Sequence, residues 1–424
     1  MGTLVASLDE LVAVEKAQQV ILEEVAPLPA ETVALTDAYG RTTAVDLSSD
    51  IDVSPFDNSA MDGFAFRAAD VADASEESPA RLQIVAHIAA GDWYGEEVQP
   101  GQCVRIMTGA ALPDGVDAVE MIEKVAYTER GLVGDYLVLD HPVEIGKNIR
   151  YAGEEIKAGT VALSAGTTIG PAAMGLLAST GNTMVPVHRV PTVGILSLGS
   201  ELVEAGEYPT PGHIRNSNGP ALVGCVTRAG ATPKLYPTLP DDYEAIKATL
   251  AQAIAECDFV ISSGGASAGD FDYITDIADD LGTVYFKYVN MRPGKSQTFA
   301  VIDNTPFLGL AGNPAAAVCG FEMLVFPALQ KMLGRKTLFH PTQQASLGKD
   351  TKKKGARENY LRATLARNAD GQLVATPYRN QSSALFSTLQ TSDCLVIVPG
   401  EVNFLPTGAE VTCVHLDITA GTVI

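Results

Sequence analysis

The sequence predicts a multidomain protein of the α/β plus β class, with a central three-layer α/β unit built on a parallel-rich sheet. Three observations carry that expectation. The chain has 424 residues, too many for one ordinary core. Between 190 and 330, "TVGILSLGSEL", "CDFVISSGGASAG" and "TPFLGLAGNPAAAVCGFEMLVFPALQKML" each place an apolar run before a glycine-bearing loop and a helical stretch. Buried β-branched runs separated by helices are the pattern of a parallel sheet covered on both faces. From about 45 to 145, and again from about 335, the pattern is instead short alternating runs broken by Pro and Gly.

Taken in order, residues 7–25, "SLDELVAVEKAQQVILEEV", read as an amphipathic helix. Ser7 and Glu10 are spaced as a capping box, and Leu8, Leu11, Val12 and Val14 begin an apolar stripe. The β-rich segment that follows contains the polar loop "ADASEESPA" and reads as a unit set into a segment that begins and ends elsewhere. The α/β unit comes next, with its three polar loops at the carboxyl ends of strands, where such sheets bind ligands. Runs such as "DCLVIVPG" then indicate a separate C-terminal β domain.

Composition narrows the function classes. Fifty-one acidic residues against 29 basic give a formal charge of −22, a field that repels nucleic-acid backbones. Small anions stay accessible wherever cations gather, as at Lys287, Arg292 and Lys295. A second gathering, Lys352, Lys353, Lys354 and Arg357, reads as a solvated loop. The six cysteines and six histidines are scattered without CxxC or HExxH spacing, which argues against a disulfide framework or a zinc site. No apolar run reaches the roughly 20 residues of a membrane span. A reduced, cytoplasmic protein is the expectation.

Each strand end supplies polar groups: Gly199, Ser200 and Glu201; Ser263, Gly264, Gly265, Ser267 and Asp272; Gly312, Asn313 and Pro314. Glycines at strand-to-helix turns let backbone N–H groups approach an anion, although "SGGASAG" has neither Walker A nor GxGxxG spacing. "MRPGKS" sets Arg292 and Lys295 around Pro293 and Gly294, a fork and a point charge suited to a tetrahedral oxyanion, or else a solvated hairpin tip. Glu201, Asp241 and Asp272 are hard oxygen ligands of the kind Mg²⁺ takes. Asp241 and Asp242 equally suit the cap of a helix beginning at Tyr243. "SPFDNSAMDGFAF" adds Asp57, a turn former, and Asn58, Ser59 and Asp62 as candidate contacts.

"FDNSAMDGFA", "RIMTGAALPDG", "GKNIRYAGEEI", "GSEL", "IRNSNGPAL", "SSGGASAGDFDY", "MRPGKS" and "GLAGNPAAA" occur in that order across nearly the whole chain. Together they resemble the molybdopterin molybdenumtransferases, the family that includes the C-terminal part of gephyrin. The resemblance implies an elongated N-terminal helical domain (1–45 with 146–186), an inserted β-rich domain (46–145), the α/β domain (187–334) and a C-terminal β-barrel (335–424). It implies a homodimer whose active site lies between one subunit's α/β domain and the other's N-terminal domains. The implied substrates are adenylylated molybdopterin, a product of the upstream adenylyltransferase, and molybdate; AMP is released with Mg²⁺ assisting. Carried across by motif, the functional residues are Asp62, Thr108, Arg150, Glu201, Asp241, Asp272, Arg292 and Lys295, with Arg357 and Ser383 as further oxyanion contacts. Tyr288 departs from the family, which often has a lysine four residues before the arginine of "MRPGKS". Two other readings use the same motifs: an adenylyltransferase-like enzyme, and a catalytically impaired paralogue acting as a scaffold.

Overall fold

The protein is described from a computed structural model covering residues 8, 10–128, 130–265 and 273–416. Ser7, Ser267 and Asp272 lie outside these described residues.

Chain order in the α/β layer runs β1 (Leu11–Val12), α1 (Val14–Glu24), β2 (Thr192–Ser197), α2 (Asn218–Arg228), β3 (Thr232–Leu235), α3 (Tyr243–Glu256), β4 (Phe259–Ser263), α4 (Tyr273–Leu281), β5 (Thr283–Val289), β6 (Ser296–Ile302) and β7 (Thr305–Leu310). A last helix, α5, runs Pro314–Met332, with its middle turn Phe321–Val325 wound as a π-helix. The seven strands form one sheet in the order β1-β5-β6-β7-β4-β2-β3. β3, β2, β4 and β7 are parallel, and β6 runs antiparallel between β7 and β5. The sheet is therefore mixed, with its parallel half carrying the three polar loops.

Alternation along the strands builds the layers. Val193, Ile195, Phe259, Ile261 and Leu308 bury one face with Leu222 and Val226 of α2, the α5 helix and Ala17, Val20 and Ile21 of α1. Leu196, Val260 and Phe307 point the other way, onto Ile246 and Leu250 of α3 and Ile274 and Ile277 of α4. A period of two on central strands thus feeds two cores at once.

The helix read from residue 7 begins at Val14. Leu11 and Val12 form the edge strand β1, parallel to Tyr288 and Val289. Among the described residues, α5 is one helix long and apolar enough to cross a membrane; 83% of its window is buried.

The chain leaves and returns to the α/β layer as a two-way ribbon. Ala30–Ala34 pairs with Met184–His188, Leu47–Ser48 with Val161–Leu163, and Asn58–Ser59 with Ile149–Arg150. Beyond the last pairing stands a six-stranded sheet spanning Gly63 to Leu139. After α5, five strands (Thr342–Leu347, Glu358–Arg367, Leu373–Pro377, Cys394–Val398 and Glu410–His415) pair around a closed ring, a small barrel without free edges.

Candidate active site

The three loops of the parallel half meet. Gly264 has φ +91°, and a Cβ on it would lie 2.2 Å from the Leu198 carbonyl oxygen. Gly265 also has positive φ, and a Cβ on Gly312 would sit 3.4 Å from Gly264 Cα. At 264 only glycine lets the ends of β2 and β4 close so tightly, while Gly312 leaves room for a small side chain. Asn218, the first residue of α2, ties them together: its Nδ2 donates to Ser263 Oγ and to the Gly312 carbonyl, both at 2.7 Å. Asn216 receives the Gly219 N–H and donates to Thr238 Oγ1. The buried side-chain atoms Asn218 Oδ1, Ser197 Oγ and Ser262 Oγ have no protein partner. Buried polar atoms left without a protein partner are uncommon, and three of them gather beneath these loops. The N-terminus of α2 points into this cluster, and α5 begins two residues beyond Gly312, with Asn313 as its cap and Pro314 at its first position. The motif "IRNSNGPAL" carries both asparagines, but nothing in its local pattern marks either as a bridge between loops. The available signal was asparagine at the start of a helix.

The acidic side divides its two aspartates by role. Asp242 caps α3 by accepting the Ala245 N–H at 2.8 Å. Asp241 faces the other way: its Oδ2 accepts the Ser200 N–H at 3.0 Å, and its own N–H donates to Ser200 Oγ. The next residue, Glu201, is exposed and folds its carboxylate over Gly199, where a Cβ would sit 2.4 Å from Glu201 Oε2. Two oxygen donors thus stand on linked loops. No group of three metal-binding side chains occurs among the described residues, and the third carboxylate named above, Asp272, lies outside them.

The basic side joins the α/β layer to the barrel. Met291–Arg292 pairs in parallel with Glu358–Asn359, so "MRPGKS" is stitched to the barrel's longest strand and is no free hairpin tip. Arg292 donates to the Lys354 carbonyl, and half-buried Arg357 donates to that of Met291. Burial pushes the Arg357 guanidinium below the usual arginine range, and the positive charge of Arg292 adds to that push. Two neighbouring cations favour an anion. Lys295 rests on the Tyr288 ring, its ammonium 4.6 Å from the ring centre. The Ser383 carbonyl accepts the Ala315 N–H, bringing the 380s loop against the start of α5.

The lysine run differs from the solvated loop expected. Lys353 is buried, with its ammonium donating to the carbonyls of Arg357 at 2.8 Å and Gly400 at 2.7 Å. It acts as a staple that holds Arg357 in place. Three consecutive lysines look alike in the sequence, and only the fold shows that the middle one turns inward.

The N-terminal candidates sit around the last ribbon pairing. Arg150 and Asn58 are register partners and, with Phe56, Gly109, Tyr151 and Glu155, line a groove of about 720 Å³. Ser59 is fully buried and donates to the Met61 carbonyl, while Asp57 accepts the Ala152 N–H across the ribbon. Asp62 Oδ1 accepts both the backbone N–H and the hydroxyl of Thr108 at 2.7 Å. These two bonds hold the Asp62 carboxyl below its ordinary range, the backbone bond contributing most. Thr108→Val removes the lesser bond, so the Asp62 pKa is expected to rise while remaining depressed. An NMR pH titration of the Asp62 carboxyl reads this directly, and an unchanged pKa would mean the hydroxyl contributes nothing. The hydrogen bonds of Asp57, Asn58, Ser59 and Asp62 all stay inside this unit.

Comparison with known proteins fits this layout. The MoeA N-terminal region (domain I and II) matches residues 12–181, a probable molybdopterin binding domain matches 194–331, and the MoeA C-terminal region (domain IV) matches 344–416. A molybdopterin molybdenumtransferase of Bacillus subtilis is 40% identical over 372 residues, covering 87% of this chain and 86% of its own. One from Staphylococcus aureus is 35% identical over 390 residues, 92% of each chain. The crystal structure of a molybdopterin biosynthesis MoeA protein from Pyrococcus horikoshii superposes with a TM-score of 0.82 at 30% identity, covering 96% of this chain and all of that one. The chain therefore belongs to the molybdopterin molybdenumtransferase family of molybdenum-cofactor biosynthesis enzymes.

Proposed function

We propose that this protein inserts molybdate into adenylylated molybdopterin and releases AMP. The observation that carries the reading is the meeting of opposite chemistries at one edge of the sheet. Arg292, Lys295 and Arg357 gather positive charge on one flank, in a chain of net charge −22. Glu201 and Asp241 stand on the loops that follow β2 and β3. Between them lie the glycine turns at 264 and 312, bridged by Asn218.

Each flank has a task. The guanidinium groups of Arg292 and Arg357 match the oxygens of molybdate, and Lys295 adds a point charge. The glycine turn at 264–265 lets the backbone come close to a phosphate, whereas the first turn of α5 is already occupied, its Ala315 N–H donating to the Ser383 carbonyl. Glu201 and Asp241, with Asp272, are the residues that would hold Mg²⁺, which supplies charge neutralisation at the phosphoanhydride. Asp241 is oriented for this by its reciprocal bonds with Ser200. Asp62, Thr108 and Arg150 make their own cluster away from these loops, which supports a homodimer in which they complete a partner's site.

The test is chemical. Purified protein with adenylylated molybdopterin, molybdate and Mg²⁺ is expected to release AMP and to yield molybdenum-loaded cofactor. Absence of AMP at every molybdate concentration would sink the reading. Asp272→Ala is expected to lower turnover by at least about 10²-fold without changing the far-UV spectrum, the scale of losing a metal-holding or proton-handling carboxylate. A wild-type rate in that variant would remove Asp272 from the chemistry.

A further inference from the structure

We propose that Tyr288 is a positioning residue for molybdate capture, its ring face fixing the ammonium of Lys295; this role rests on the function proposed above. Tyr288 lies on β5 and Lys295 at the turn into β6, which pairs antiparallel with β5. Tyr288 is the register partner of Ser296, and the Val289 N–H donates to the Lys295 carbonyl at 2.8 Å. On its other side Tyr288 is the register partner of Leu11 in β1. The half-buried ring is therefore anchored between two strands, whereas Lys295 is an exposed side chain at a bend.

The contact is suited to its place. An ammonium 4.6 Å from a ring centre is held by the negative π-face. A carboxylate in the same position would pull the lysine harder but would cancel the charge that attracts the oxyanion. The ring holds the lysine without adding a negative group, and leaves ammonium N–H donors turned away from the face free for molybdate oxygens. Fixing a long, flexible lysine before the ligand arrives reduces the entropy lost on binding.

The experiment grades the ring's electrostatics while keeping its shape. In the full-length enzyme, residue 288 is replaced by Phe, by 4-fluoro-, 3,5-difluoro- and 3,4,5-trifluorophenylalanine, and by Leu. AMP release is followed against molybdate concentration. Phe is expected to match Tyr, and the KM for molybdate to climb stepwise with fluorination. It should reach about two- to fivefold for the trifluoro ring and for Leu, the range of an exposed cation–π contact. The kcat at saturating molybdate is expected to stay unchanged, a split that general loosening of the fold would not produce. A flat series in an active enzyme would overturn the role of the ring, as would a Phe variant as poor as Leu. If wild-type protein released no AMP with molybdate, the reading of the whole site would fall, and this role with it.

Discussion

Gly264→Ala is expected to abolish turnover and to destabilise the α/β layer by about 3–5 kcal/mol, from a positive-φ penalty added to a backbone clash. The clash is with the Leu198 carbonyl oxygen, 2.2 Å from where the new Cβ would stand. That carbonyl cannot rotate away, because Leu198 is held from both sides. Its N–H donates to the Ser263 carbonyl, and the residue bridges to Leu239. The added methyl must therefore push β2 and β4 apart at the ends where the site is assembled. The Asn218 bridge from Ser263 to Gly312 would open with them. Gly312→Ala is the control. A Cβ there meets its nearest neighbour at 3.4 Å, an ordinary contact, so stability should change by less than about 1 kcal/mol. Urea denaturation followed by tryptophan-independent far-UV signal, together with AMP release, separates the two. A wild-type midpoint for Gly264→Ala would show that the close approach is dispensable.

The same loops explain what the sequence disclosed. Apolar runs followed by glycine give strand, turn and helix from local rules alone, so β2, β4 and β7 and the positions of their polar loops were legible. That a β-rich block interrupts a differently patterned segment was legible, whereas the strand pairs of the ribbon were not. Other features depend on contacts distant in sequence. Leu8, Leu11, Val12 and Val14 have helical spacing, yet Leu11 and Val12 are claimed by an open sheet edge at Tyr288 and Val289. No local signal marks an edge that forms some 280 residues later. β6 reads like any buried strand, and only its short link to β7 makes it antiparallel. Lys353 looks like its neighbours until the carbonyls of Arg357 and Gly400 are in place. The site followed the same division. Glycines and charged side chains could be nominated one by one, whereas the Asn218 bridge and the Tyr288–Lys295 stack exist only in the folded sheet.

Arg228→Met is expected to cost about 3–5 kcal/mol, the range for leaving one partner of a buried ion pair uncompensated. The partner is Glu322, 1% exposed in the π-turn of α5. Arg228 closes α2, reaches the Glu322 carboxylate and also donates to the Leu416 carbonyl. His340 Nε2, on the link to the barrel, lies 2.8 Å from the other Glu322 oxygen. One buried carboxylate therefore joins α2, α5 and the barrel link, and the far end of α2 carries Asn218 into the site. Removing the arginine leaves the buried carboxylate facing His340 and the Cys225 thiol without its permanent counter-charge. Replacing both members with apolar groups of similar size removes the desolvation problem instead. The double variant Arg228→Met, Glu322→Leu is accordingly expected to recover most of the loss, within about 1–2 kcal/mol of wild type. Denaturation midpoints of the two single variants and the double variant complete the cycle. If the losses simply added, the pair would be two independent surface contacts, and the buried carboxylate would not be what couples α2 to the barrel.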